Sequence, residues 1–589
     1  FERAQTALPT NTAGSGNSFA SFLLGLPNDV QFSTLPYPDP WIKYGYHAGF
    51  FQDDWRVTPK LTLNLGIRYE VPIGFHMANY QFSMVDLNLP NAAAGGLPGA
   101  MIYAGNGVGR TGTKRFYPTD FSNLGPRAGF AYQLTSKTVL RGGYGIFYQT
   151  LGNGGCGCQL GFGGIPGQIL GNGVEAALQW DTGFRIPQGA KPPFIDPTAF
   201  NFQNVDHLGD NFGKAPRVQN WSFNIQHEVK KFLIDIGYVG NRATRLASTL
   251  YINQVDPKYL SLGSLLRLPI SDPQVAAAGF KKPFAAFPDN QPLAQALRPY
   301  PQYFNIADRN AGVGRTWYDS LQVMVIRRFG FWQTQTSYVR SKSQTFLHYR
   351  QIFSQTQTSP QNNYDLSDSK TYLPFDQPNF FNSLNTFDLP FGRGKKYLSS
   401  SGRGLDAVVG GWTIGFIAQY RSGTLIDVAP PNTLNNGTLF TQFKKANATG
   451  VPVRTGVDRR DIDPANPQAR YFGCNAVPLP GNPNAYTCAA GSTPFVAPGE
   501  FEFGNVSQFI GNFRQPPIFT ENMSILKRFT LFPMRNDGGL KFTYSANIFN
   551  LFNRTNFGVN GAIGNADFGR ASNPQNNPRL VTMGLRLEF

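Results

Sequence analysis

Apolar and polar residues alternate with period two along much of the chain, and each run predicts one β-strand with a single apolar face. Leu61, Leu63, Leu65, Ile67 and Tyr69 share one face, with Thr62, Asn64, Gly66, Arg68 and Glu70 on the other. Trp221, Phe223 and Ile225 stand against Asn220, Ser222, Asn224 and Gln226. Leu140, Gly142, Tyr144, Ile146 and Tyr148 oppose Arg141, Gly143 and Gln149. Trp412, Ile414, Phe416, Ala418 and Tyr420 oppose Thr413, Gln419 and Arg421. Leu540, Phe542, Tyr544, Ala546 and Ile548 oppose Lys541, Thr543, Ser545 and Asn547. The last run sets Val581, Met583, Leu585, Leu587 and Phe589 against Thr582, Gly584, Arg586 and Glu588. Many runs reach about 9–11 residues, the length a tilted strand needs to cross a bilayer, whereas globular strands average about 5–6. Length, rather than alternation, favours a membrane wall over a sandwich or propeller.

The connections add an independent constraint. Tight turns are expected at Val57-Thr58-Pro59-Lys60, Leu134-Thr135-Ser136-Lys137, Val229-Lys230-Lys231 and Phe329-Gly330-Phe331. Long polar stretches separate these hairpins, at 71–125, 150–217, 241–316, 344–378 and 423–519. Short and long connections alternate as they do in transmembrane β-barrels, with turns on the periplasmic side and long loops outside. The expected fold is therefore all-β: an antiparallel transmembrane β-barrel with about 13–14 strands in this chain, one of them near Asp29–Leu35. Residues 1–40 read as an entry segment and 41–589 as barrel with extracellular loops. A closed bacterial barrel needs an even strand number and no free edge, so further strands are expected upstream.

Composition agrees. The chain has 589 residues, 51 Phe and 25 Tyr, with 64 Gly and 44 Pro supplying turn and loop chemistry. Only 15% is charged, too little Glu and Lys for a helical protein. Mean hydropathy is −0.28. The most apolar helix-length stretch, Val408–Tyr420, is broken by Gly410, Gly411 and Gly415, so no run approaches a spanning helix. The chain opens at Phe1 with no export signal, and its start is read as truncated or processed.

Several segments resemble the TonB-dependent outer-membrane receptors, most closely the subgroup with an N-terminal carboxypeptidase-regulatory-like domain. They are FFQDDWRVTPKLTLNLGIRYE (Phe50–Glu70), NLGPRAGFAY (Asn123–Tyr132) and YVRSKS (Tyr338–Ser343). LPFGRGK (Leu389–Lys395), GGWTIGFIAQYRS (Gly410–Ser422) and ANIFNLFNRTNFG (Ala546–Gly558) follow in order. GLRLEF (Gly584–Phe589) resembles the barrel-ending strand whose terminal aromatic the barrel-assembly machinery reads, and SFASFLLGLP (Ser18–Pro27) resembles a segment already inside the barrel region. The resemblance implies about 22 strands in the whole barrel, of which this chain supplies the C-terminal part. It also implies a plug and a TonB-contacting segment, neither visible in this chain. The implied activity is energy-coupled uptake of a solute across the Gram-negative outer membrane. A passive porin-like channel and a surface-exposed adhesive or structural β-barrel protein are the alternatives.

Candidate chemistry is sparse. The five histidines, His47, His76, His207, His227 and His348, are scattered, and no catalytic, metal or cofactor motif appears. The Gly-rich stretches Gly105–Gly109 and Gly152–Gly164 lack the Lys and helix of a phosphate loop and read as external loop. Asp458, Asp461 and Asp463, interspersed with Arg459, Arg460 and Pro464, read as a solvated turn. Cys474 and Cys488, 14 positions apart, are expected to pair within one loop, while Cys156 and Cys158 are left unassigned. The net charge of +17 reads as an electropositive lumen or rim that attracts anionic solutes, or as contacts to lipopolysaccharide phosphates. Arg68, Arg127, Arg141, Arg421 and Arg586 fall on polar strand faces, hence in the lumen of a barrel, where they attract anionic solutes or merely decorate the wall. Expected partners are outer-membrane lipid and lipopolysaccharide, the TonB system, the barrel-assembly machinery and an unidentified imported ligand. Nucleic acid is excluded, because the cations follow strand alternation rather than one dense patch.

Overall fold

The computed structural model describes the chain outside residues 9–14, 28, 34–41, 78, 150–157, 159, 163–165, 171–179, 183–194, 348–359, 431–443, 459–460, 534–538 and 589. The alternating runs pair into one 14-stranded antiparallel sheet. Its strands are β1 (Ile42–Thr58), β2 (Leu61–Met77), β3 (Asn123–Thr135), β4 (Thr138–Tyr148), β5 (Arg217–Val229), β6 (Phe232–Leu246) and β7 (Gly314–Phe329). They continue with β8 (Trp332–Phe346), β9 (Lys370–Tyr372), β10 (Asn379–Asp388), β11 (Trp412–Arg421), β12 (Ile518–Pro533), β13 (Gly539–Phe549) and β14 (Leu580–Glu588). Neighbours in sequence are neighbours in space, except that short β9 sits beside the upper end of β8 and β10 pairs directly with β8. Among the described residues, β1 and β14 each have one partner in the sheet.

Turn chemistry explains the hairpins. The Thr58 hydroxyl accepts from the Lys60 and Leu61 N–H groups, closing the Pro59 turn on its own side chain. Lys230 and Lys231 both adopt positive φ, 45° and 72°, as the central residues of a two-residue primed turn must. Gly330, at φ 77°, opens the two-residue turn between Phe329 and Trp332. A longer connection on this side holds a helix, Arg403–Val409. The Lys527 ammonium donates to the carbonyls of Val408 and Gly410, 3.1 and 2.6 Å away, satisfying the helix's C-terminal end.

The sheet has a turn end and a loop end. β1 and β2 are 17 residues each. At about 3.4 Å per residue, such a strand is far longer than a ~30 Å hydrocarbon core, so its loop end projects beyond one. The long stretches beyond the loop ends are not structureless. They form short sheets, such as Ser83–Asn91 with Leu97–Tyr103, and several buried apolar clusters of their own. The segment near Asp29–Leu35 does supply a strand, Asp29–Ser33. It pairs with Pro166–Leu170 away from the wall, since both belong to loop-end segments.

Candidate functional site

Directly opposed residues in an antiparallel pair share a face, so register carries one face around the wall. Arg127 pairs with Gly66, two residues from Arg68, and with Gly145, while Arg141 pairs with Ala131 and Asn224. From Asn224 the same face passes through Gly237, Gln322, Val339 and Phe380 to Arg421. The pairs Gly415–Ser524, Ser524–Asn547 and Asn547–Thr582 carry it on to β14, where Arg586 lies. All five arginines therefore stand on one polar face.

They do not converge. Arg421 ends its strand at the loop end, whereas Arg141 and Arg586 lie near the turn end. Two are already paired: Arg68 Nε is 2.7 Å from Glu70 Oε1, and Arg586 is 2.8 Å from Glu588. Arg127 lies 4.6 Å over the Phe147 ring. A tighter grouping is the one that sequence reasoning passed over. Arg528, Lys541 and Arg586, with Thr543 and Glu588, line a cleft of about 430 Å³ at the turn end. Lys541 had been legible as a polar-face residue, but the cross-strand row Arg528–Thr543–Arg586 appears only once the register is known.

The opposite end carries the packed loop layer. Loops from different hairpins lock together through buried polar groups that would be costly unpaired. Asn91 donates to Asn201 at 2.8 Å, Gln302 to the Pro98 carbonyl at 2.8 Å, and Gln361 to the Gly504 carbonyl at 2.9 Å. Arg514 pairs with Asp376 in the interior, and Arg470 donates to the Phe568 carbonyl at 2.9 Å. The Arg298 guanidinium donates to the carbonyls of Asn253 and Phe304, and burial pulls its pKa down to about 9. Phe472, Phe495, Phe513 and Phe568 pack in one cluster. Cys474 belongs to it and is bonded to Cys488.

The remaining candidates are local. His207 Nδ1 lies 3.0 Å from the Val85 carbonyl and His227 Nδ1 2.9 Å from the Thr138 hydroxyl. Asp458 and Asp463 accept from the N–H groups of Asp461 and Ala465, the geometry of a turn. Among the described residues no three His, Cys, Asp or Glu gather as a metal site would require. His348, Cys156, Arg459, Arg460, most of Gly152–Gly164 and Phe589 lie outside the described residues.

The family model described as outer membrane beta barrel domain matches residues 1–582. Among solved structures, the chain is similar to the ferripyoverdine receptor of the outer membrane of Pseudomonas aeruginosa, at 10% identity and a TM-score of 0.34, covering 92% of this chain and 38% of that one. It is also similar to the outer membrane transporter YddB from Escherichia coli, at 10% identity and a TM-score of 0.38, covering 92% and 44%. The FrpB iron transporter from Neisseria meningitidis gives 8% identity and a TM-score of 0.34, covering 99% and 49%. The chain thus spans less than half the length of each of these three. No curated protein matches it.

Proposed function

The chain belongs to the outer membrane beta barrel domain family, and from that premise we propose that it forms the wall and outer loops of an energy-coupled receptor-transporter. The wall crosses the outer membrane with its apolar face on lipid and its polar face on the lumen. The loop end faces outward and captures a solute, and the TonB system drives the solute through.

One observation carries this reading: the long connections fold against one another into a layer with its own apolar clusters. Loops that merely linked strands would have no need of buried side chains. A packed layer presents fixed side chains to the medium, which suits recognition. Release from a tight binding surface takes work, and the segments that resemble TonB-dependent receptors point to where that work comes from. Arg127, Arg141 and Arg421 bias the lumen toward anionic solutes. Phe589, the residue that follows β14 in the sequence, acts as the signal for the barrel-assembly machinery. The domain layout follows: residues 1–40 lead into the barrel region, and 41–589 supply wall and loops.

Planar-bilayer conductance of the protein purified from its own gene separates this reading from a passive pore. A receptor-transporter is expected to give no steady conductance, whereas stable ohmic channels in every preparation would replace it with the porin reading.

A further inference from the structure

The apolar face carries one cluster that apolar alternation does not account for. On β6, β7, β8 and β9 it presents Arg242, Arg315, Arg340, Lys342 and Lys370 near the loop end. Register puts all five on the same side. Arg315 aligns with Phe346 and Lys370, Trp317 with Arg242, Gln344 and Tyr372, Asp319 with Lys342, and Leu321 with Arg340. With about 3.4 Å per residue and ~4.8 Å between strands, the cluster covers roughly 20 by 14 Å.

Asp319 is the one acid on this face of these four strands, among the described residues. It is already engaged, accepting from Arg242 at 2.8 Å and from the Tyr238 hydroxyl at 2.6 Å. Arg315, Arg340, Lys342 and Lys370 are exposed, and none of them forms an ion pair among the described residues. Rings hold three of them in place. Lys370 Nζ lies 4.6 Å from the Trp317 ring, Lys342 Nζ 5.5 Å from Tyr372, and Arg315 Cζ 5.9 Å from Phe346. Arg340 donates to Asn379 at 2.8 Å.

On the same strands and face, exposed Tyr238 and Leu321 lie level with Arg340, and exposed Ile236 and Tyr338 lie below all the cations. Apolar side chains there belong against acyl chains, with tyrosines at the boundary. Cations beginning at this tyrosine row and rising above it stand at headgroup height, on the lipid side of the wall rather than in the lumen. The geometry points to a binding site for a phosphorylated glycolipid headgroup of the outer leaflet, with Arg315, Arg340, Lys342 and Lys370 as its phosphate ligands. This site rests on the outward orientation of the loop end given above, but not on transport. Arg242 positions Asp319 and keeps that carboxylate away from the anion.

The test titrates the purified protein in detergent micelles with bisphosphorylated lipid A and with the same lipid after phosphatase treatment. Bound lipid is counted by native mass spectrometry. Wild type should prefer the phosphorylated lipid at least about tenfold, and R315Q/R340Q/K342Q should lose roughly a hundredfold in affinity, about fivefold per charge. K281Q/K395Q/K396Q, which removes the same charge elsewhere on the surface, should bind as wild type does. Millimolar inorganic phosphate should not displace the lipid. Equal binding of both lipids by wild type overturns the site without any variant having to fold. Wild-type affinity in the triple variant also overturns it, and displacement by inorganic phosphate alone overturns the lipid source. Because the readout is lipid retention, failed solute uptake with intact lipid selectivity would remove the transport reading and leave this site standing.

Discussion

Asp427 lies a few residues beyond the loop end of β11, where the loop layer buries its carboxyl group against neutral donors. Gln508 Nε2 donates to one oxygen at 2.9 Å and the Ala429 N–H to the other at 2.8 Å. Burial outweighs both bonds and raises the pKa above the ordinary 3.8. The folded state therefore holds this proton more tightly than the unfolded chain does. Its contribution to stability is greatest below about pH 4 and falls as pH rises through the folded pKa. Asp427→Asn keeps the shape: its Oδ1 accepts from the Ala429 N–H, and its amide nitrogen donates to Gln508 once that side-chain amide turns over to present its oxygen. We expect the variant to melt a few degrees higher than wild type at pH 7, with the gain vanishing near pH 3. A gain of the same size at both pH values would contradict the assignment. Cys474 and Cys488 close a short loop beside the phenylalanine cluster, and a bond across such a loop contributes about 3 kcal/mol. Peptide mapping without reductant should recover the two joined. Two freely alkylated thiols would count against the bond.

The strands of the wall were legible in the sequence because each presents different surroundings on its two faces, and alternation is the direct imprint of that difference. Their loop ends were not. β2 alternates from Leu61 to Tyr69 and its apolar row runs on through Val71, Ile73 and Phe75 to Met77, but the opposite row loses its polar character at Pro72 and Gly74. There Pro72, Gly74 and Met77 are buried, and Tyr117 packs on Gly74. A segment covered on both faces has no polar side to mark it. The loop layer was illegible for a related reason. Its contacts, such as Gln361 with Gly504 or Arg470 with Phe568, join residues far apart in sequence and leave no local period. The shared face of Arg68, Arg127, Arg141, Arg421 and Arg586 followed from alternation, whereas the ion pairs of Arg68 and Arg586 and the cleft beside Arg528 needed geometry. Cations on the apolar face of β7 and β8 break the alternation, so nothing in the pattern singled them out. Nitroxide probes at Leu63 and Leu65 are expected to report bilayer polarity and to resist aqueous quenchers. Leu65→Arg should cost about 2–4 kcal/mol of folding stability if it sits near the midplane. Free quenching at both positions would turn the wall inside out.

At the scale of the whole molecule, a 14-stranded wall carries a folded layer at one end and mainly short turns at the other. That asymmetry has a physical origin. The face of the wall can vary little, because lipid and lumen constrain alternate residues, while the loop end is free of that constraint. Among the described residues the polar face of this wall singles out no imported solute, because specificity in such a design sits on the loops. The central claim is that the protein spends metabolic energy to bring a solute inward across the outer membrane. The most direct measurement compares uptake of a panel of radiolabelled iron chelates, cobalamin, oligosaccharides and peptides in cells with and without the gene. Each is measured before and after a protonophore collapses the proton gradient. At least one solute is expected whose saturable uptake needs both the gene and the gradient. Gene-dependent uptake that neither saturates nor responds to the protonophore would contradict the central claim, and would show a passive channel instead.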